Sequence, residues 1–144
     1  MKKGNILFNL DSIKTEQFAV FPENYSEDGE VKFNTSIEFK IEVEKKIIGA
    51  YLDFSFEQNN KPFLKITSGC NFEIEYTSWN QITKDNVIKI DKETLRNLAS
   101  LSIGTVRGIL HEKTNNSKYL SFNKFIIPPI NLGEMIPNDA TIEL

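Results

Sequence analysis

The residues with the strongest intrinsic chemistry in this chain are its single cysteine, Cys70, and its single histidine, His111. When they meet in space, a cysteine thiol and a histidine imidazole can act as nucleophile and general base. Cys70, however, shares the strand parity of Phe72 and Ile74, which predicts a side chain buried in the core. His111 falls at the C-terminal end of a predicted helix, where a cation suits the helix dipole. The pattern therefore favours a structural cysteine and a surface histidine over a catalytic pair.

Acidic residues offer another route to catalysis, because two carboxylates can share the roles of general acid and general base. Glu42, Glu44, Asp53 and Glu57 instead alternate with apolar residues along predicted strands, which indicates a solvated sheet face. One histidine and one cysteine are too few for a zinc site of several such ligands within one chain. The sequence also contains no glycine-rich phosphate-binding loop. We therefore predict a protein that is not an enzyme and that has no catalytic residue, no metal and no cofactor.

Composition limits the kinds of partner that the protein is expected to bind and the cellular compartment in which it is expected to occur. The chain has 144 residues and a net charge of −3, which is small and of the wrong sign for a nucleic-acid-binding protein. A single cysteine cannot form an internal disulfide, which fits a reducing compartment. The sequence shows neither a signal-peptide pattern nor a run of about 20 apolar residues. We expect a single domain over residues 1–144 that is cytoplasmic, binds no nucleic acid and does not insert into a membrane.

The elements that position these residues are organised around residues 31–76. Apolar or β-branched residues occupy every second position over residues 31–43, and the pattern repeats over residues 48–56 and 64–76. Side chains on a strand alternate between two faces, so three long strands with one buried and one wet face are predicted. The links between them are short and polar, which indicates an antiparallel meander.

A fourth strand is predicted over residues 6–22, where the alternation starts, slips and resumes. This irregularity indicates a bulge near residues 14–17. The acidic stretch over residues 22–30 is interpreted as a solvated loop. We also expect a polar crossover over residues 77–89 and a frayed tail from residue 138 onward.

One strong helix is predicted over residues 92–113, with Asp91 as its N-cap. Its apolar residues fall within one arc that can cover the sheet, so the predicted fold is α+β: a four-stranded antiparallel sheet covered by one long helix. The back of the helix carries a strip of mostly small residues, which we predict to be an oligomer interface: Asn97, Leu101, Gly104, Thr105 and Gly108. A glycine inside a helix costs about 1 kcal/mol relative to alanine, so Gly104 and Gly108 favour close approach of another backbone, from a second copy of the chain. The alternative is that these glycines only tolerate a bend.

Several large apolar residues lie outside both the alternating strand face and the apolar arc of the helix. They occur in the bent first strand, in the crossover and its surroundings, and in an extended segment predicted over residues 119–131. Their full set is Phe18, Phe21, Phe63, Trp79, Leu120, Phe122, Phe125 and Ile126. Such residues favour a subunit interface or a groove for an extended polypeptide. The alternative is that they close the ends of the core.

The order of these elements resembles the SecB family of export chaperones. Residues 125–132, which read FIIPPINL, are similar to that family's Pro-Pro-Leu-Asn-Leu segment after its first long helix. Residues 101–110 and 112–114 are similar to the helix of divergent SecB-like proteins of Bacteroidetes-type bacteria. The likeness of layout covers nearly the whole chain. One departure is that only residues 134–136 could form a helix after the proline pair, where the family has a second long helix.

The resemblance implies an ATP-independent holdase that keeps client chains unfolded and assembles as a dimer of dimers, with long helices between sheets. The eight large apolar residues would then bind extended apolar segments of unfolded client polypeptides, either preproteins or antitoxin-like chains. The export translocase motor is a further candidate partner, and the helix strip would hold the dimer or tetramer together. The alternative prediction is a structural or adaptor module with a single fixed protein partner.

Overall fold

The computed structural model describes residues 5–115 and 117–144, without the side chains at positions 117, 119 and 120. Its main sheet consists of four antiparallel strands, which are β1 (Phe8–Val20), β2 (Lys32–Glu42), β3 (Ile47–Gln58) and β4 (Lys61–Ile74). Their order across the sheet is β1-β4-β3-β2, so β1 and β2 form its two edges. The predicted four-stranded antiparallel sheet is confirmed.

Local sequence explains how these strands turn and bend. Asn59 and Asn60 join β3 to β4 with φ angles of 52° and 63°, as a two-residue hairpin turn requires. The pairing of β1 with β4 contains two register shifts, one between Leu10 and Ser12 and one between Thr15 and Gln17. The second shift lies where the bulge was predicted.

The long helix α2 (Lys92–Thr114) packs on β3 and β4. Asp91 caps it as predicted, because its Oδ1 accepts a hydrogen bond of 3.2 Å from the backbone N–H of Thr94. Cys70 is buried and His111 is exposed, which confirms both predictions. No helix in the two described ranges is long and apolar enough to cross a membrane.

The crossover before α2 is more structured than the sequence predicted. It contains α1 (Tyr76–Ile82) and a short hairpin of β5 (Thr83–Lys84) and β6 (Val87–Ile90). Tyr76, which was expected to extend the apolar face of β4, begins α1 and is 65% exposed. The two residues of the hairpin turn, Asp85 and Asn86, both adopt positive φ angles. Aspartate and asparagine tolerate this conformation, so these two residue types are a signal for the turn in the sequence.

The prediction that the chain is frayed from residue 138 onward is also wrong. After α3 (Leu132–Met135), the chain ends in β7 (Ala140–Glu143), which pairs with β6 in a small sheet of order β5-β6-β7. Ala140 and Ile142 pack against the core cluster that contains Ile88 and Ile90. Burial of these apolar side chains holds the tail in place.

Part of the segment after α2 departs from the extended conformation that was predicted for it. Residues Ser117–Phe122 form a 3₁₀ helix, whereas the described residues around the proline pair, Pro128 and Pro129, have no regular structure. Proline cannot donate a backbone hydrogen bond, which explains why the chain there joins neither helix nor sheet.

Glu75 caps α1 and gives the fold a measurable pH dependence. Its carboxylate accepts hydrogen bonds from the hydroxyl and the backbone N–H of Thr77 and from the backbone N–H of Ser78. These bonds, led by that of the Thr77 hydroxyl, lower the pKa of Glu75 below its ordinary value of 4.5. A lowered pKa in the folded state means that the cap stabilises the fold above that ordinary value and is lost as the pH falls through the folded-state pKa.

We therefore expect the free energy of unfolding of Glu75→Gln to decrease less than that of the wild type as the pH is lowered from about 6 to about 3. Urea unfolding at each pH measures the difference, and Glu73→Gln, an exposed carboxylate on β4, is the control. Parallel pH curves for Glu75→Gln and the wild type would contradict this role of Glu75.

Candidate functional site

An aromatic cluster closes the core at one end of the main sheet. Its rings come from the loop after β1, from β3 and β4, and from the segment after α2, and they belong to Tyr25, Phe56, Phe63, Phe122 and Phe125. The ring centroid of Phe63 lies 4.9 Å from that of Tyr25, 5.1 Å from that of Phe125 and 5.5 Å from that of Phe122. Aromatic pairs at such distances add about 0.5–1.5 kcal/mol each beyond the burial of their area.

Three of the residues predicted to bind clients are instead parts of the core. The exposed fraction is 0% for Phe63, 5% for Trp79 and 3% for Phe122, which favours for these three rings the alternative that they close the core. Phe63 turns inward because the register between β3 and β4 shifts beside it, which leaves it without a partner on β3. Trp79 is carried inward by α1, and Phe122 by the 3₁₀ helix.

Four of the other predicted residues lie nearer to solvent. Phe18 and Phe125 are half-buried against the core, Phe21 is half-buried, and Ile126 is 57% exposed. The Nζ atom of Lys113 lies 5.3 Å from the centre of the Phe18 ring. The side chain of Leu120 lies outside the described part of the chain. Residues 125–126 thus lead from the aromatic cluster to the surface.

A groove that the sequence did not predict runs between β2 and the chain that follows the proline pair. This groove, here called the β2 groove, has a volume of about 320 Å³ and is lined by Phe33, Thr35, Pro129, Ile130, Asn131, Glu134 and Met135. Phe33 is 48% exposed, although its strand parity predicted a buried side chain. The reason is that β2 is an edge strand, whereas α2 covers β3 and β4.

One residue that lines the groove carries a buried polar atom without a partner. The Oγ1 atom of Thr35 is buried and makes no hydrogen bond with any described residue. A buried hydroxyl normally finds a partner, since leaving it unsatisfied costs about 1–3 kcal/mol. The Thr35 hydroxyl is therefore an unsatisfied polar group behind the surface of the groove.

Two arginines of α2 hold the chain at both ends of residues 129–135, which contain the wall of the β2 groove opposite β2. Arg107 donates to the backbone carbonyls of Ile127 and Pro128 over 2.8 and 3.1 Å, and Arg96 donates to the carbonyl of Ile136 over 2.9 Å. Sequence reasoning missed this role. The signal was present, because the two arginines lie eleven residues, or about three helical turns, apart and so project from one side of the helix.

The strip predicted as an oligomer interface is open in the single chain. Asn97, Gly104 and Gly108 are exposed, Leu101 is 50% exposed, and Thr105 is half-buried. A Cβ atom added at Gly104 or Gly108 would meet no described atom within 4 Å outside the adjoining helix. Packing within the described chain therefore gives no reason for two glycines at these positions.

The β1 edge carries a second uncovered apolar surface. Leu10 and Ile13 are paired in register with the buried residues Phe72 and Cys70, so they lie on the core side of the sheet. They are nevertheless 54% and 51% exposed. The layer that covers β3 and β4 therefore stops short of β1.

The outer face of the main sheet is a polar network that spans its strands. Tyr51 donates to Asn71, and Asn71 in turn donates to Ser12. Lys40 lies over the Tyr51 ring and pairs with Glu16 over 2.8 Å; this hydrogen bond raises the pKa of Lys40 above its ordinary value. These contacts join side chains within the sheet to one another.

The described residues were also searched for groups that could do chemistry. Within residues 5–115 and 117–144, no group of three or more histidine, cysteine or acidic residues could hold a metal ion. The four acids considered above behave as parts of a solvated face, since Glu42, Glu44 and Asp53 are exposed and Glu57 is half-buried. Comparison of the sequence with the models of known protein families finds no match, and comparison with curated proteins finds none either.

Proposed function

We propose that this chain is a SecB-like, ATP-independent holdase that binds extended apolar segments of unfolded polypeptides in the cytoplasm. The observation that carries the proposal is the β2 groove, which is open, mostly apolar and bordered by the half-exposed ring of Phe33. A shallow apolar groove with few directional polar groups suits clients that share no sequence. The resemblance in layout, from four strands through a long helix to a proline pair, supports the same function.

The contact surface in this proposal differs from the one expected from the sequence. Ile126 and Phe125 extend it from the aromatic cluster, and Phe33, Ile130 and Met135 line its groove. The buried rings of the aromatic cluster support this surface from within. Phe18 and Phe21, which are half-buried, would contribute only their exposed edges.

The proposal also includes self-association through the strip on the back of α2. The open glycines and the half-exposed side chain of Leu101 form a surface against which a second helix could pack closely. Assembly would bring several β2 grooves together, and one long client could then occupy more than one of them. Linked sites of this kind raise the overall affinity without any new contact.

Suppression of aggregation tests the holdase proposal. At a several-fold molar excess and without nucleotide, the protein is expected to slow the aggregation of a chemically unfolded test protein, followed by light scattering. Ile126→Lys is expected to weaken this protection, because it places a charge on the contact surface. The substitution should leave the fold intact, since exposed positions change stability by about 0.5 kcal/mol or less.

Val43→Lys is the matched control, because Val43 is an exposed apolar residue, 42% accessible, in the turn after β2. Equal protection by the wild type and both variants would remove Ile126 from the contact surface. Absence of protection by the wild type would overturn the holdase proposal. Capture of one folded partner together with indifference to unfolded chains would favour an adaptor with a single partner.

A further inference from the structure

We propose that β2 binds its client as an added fifth strand of the main sheet, so that the client's backbone as well as its side chains is recognised. This inference rests on the proposed function, because it specifies how the extended segment binds. β2 is an edge strand, and among the described residues its backbone pairs only with β3. Every second residue of an edge strand points its N–H and C=O groups outward, where another extended chain can pair with them.

The regularity of β2 distinguishes it from the other edge of the sheet. Its pairing with β3 runs without a register shift from Lys32, opposite Glu57, to Glu42, opposite Ile47. β1 is longer, but two register shifts interrupt it. Bulges twist an edge strand and obstruct further pairing, whereas an unbroken strand presents its free groups in a straight row. β2 is therefore the better template for a fifth strand.

The β2 groove lies on the core side of this edge. In an added strand, every second side chain would point to that side and contact the exposed ring of Phe33. Ile130 and Met135 would contact the same side chains from the other wall. The expected client segment is apolar at alternate positions and free of proline along the paired length, since proline lacks the N–H donor.

The negative charge of the β2 groove favours client segments that carry basic residues. Glu134 is the only charged residue among the described residues that line the β2 groove, and the whole chain carries a net charge of −3. A lysine or arginine beside the apolar positions would complement Glu134, whereas an acidic residue there would be repelled. The ligand class is therefore an extended, alternately apolar and basic polypeptide segment.

Backbone methylation tests this mode of binding without altering the protein. The probe is a labelled peptide of 11 residues, the length of β2, with apolar residues and lysines in alternation. Two further peptides carry N-methyl groups, one at every odd and one at every even interior position. Only one of the two sets can direct its N–H groups to β2. We expect methylation of that set to raise the Kd at least about tenfold and methylation of the other set to change it less than about twofold.

Amide hydrogen exchange of the protein supplies the second measurement. Binding of the unmethylated peptide is expected to slow exchange at alternate amides of β2 and to leave β1 unchanged. Equal Kd values for the two methylated peptides, or no peptide binding by a protein that still prevents aggregation, would overturn strand addition and leave the holdase proposal standing. Asymmetric methylation effects without protection from aggregation would support strand addition and overturn the holdase. Failure of both assays would overturn both.

Discussion

Replacement of Phe63 by alanine is expected to lower the free energy of unfolding by about 3–5 kcal/mol, as the loss of a fully buried aromatic side chain does. The ring is completely buried and contacts four other rings, those of Tyr25, Phe56, Phe122 and Phe125. Its removal leaves a cavity at the centre of the aromatic cluster. Since a domain is typically stable by only about 5–15 kcal/mol, this single change would remove much of the stability.

Urea unfolding monitored by circular dichroism measures the effect, and Ile126→Ala is the control. Ile126 is 57% exposed, so its truncation is expected to change the free energy of unfolding by about 0.5 kcal/mol or less. Comparison of Phe63→Ala with Ile126→Ala distinguishes a buried residue that supports the contact surface from an exposed residue that forms it. A Phe63→Ala variant of unchanged stability and reduced protection of clients would show that this ring, despite its burial here, acts as a client contact.

The sequence predicted the elements whose patterns are local. Alternating apolar residues define β2, β3 and β4 because strand side chains alternate between faces, whatever else the chain does. The N-cap at Asp91 and the apolar arc of α2 are likewise contained within a few turns of one helix. The bulge in β1 was also predicted, since a slip in the alternation records it directly.

The environment of each aromatic residue depended on contacts that no local pattern records. Phe63 turns inward because of one register shift, and Phe33 is exposed because α2 lies over the neighbouring strands. The pairing of β7 with β6 joins segments about fifty residues apart, and four residues are too few for a periodic signal. Of the eight apolar residues that the sequence singled out, the proposed contact surface therefore keeps chiefly Phe125 and Ile126.

The strip on the back of α2 is uncovered in the single chain, and substitutions in this strip are expected to have the second large effect. The double substitution Gly104→Leu and Gly108→Leu is expected to raise the dissociation constant of the oligomer by about 30-fold or more. Each leucine would occupy space that another backbone needs, and overpacking of this kind costs about 1–3 kcal/mol per site. Within the single chain both side chains would extend into open space, so the monomer should keep its fold.

Sedimentation velocity over a range of concentrations measures this dissociation constant. The matched control is the double substitution Asn80→Leu and Gln81→Leu, which adds leucines at two exposed positions of helix α1 without a change of charge. The oligomer should survive the control and dissociate in the glycine variant, while both retain the helix content of the wild type. A wild type that is monomeric at all concentrations, or an oligomer that tolerates both leucines in α2, would mean that the glycines serve no interface.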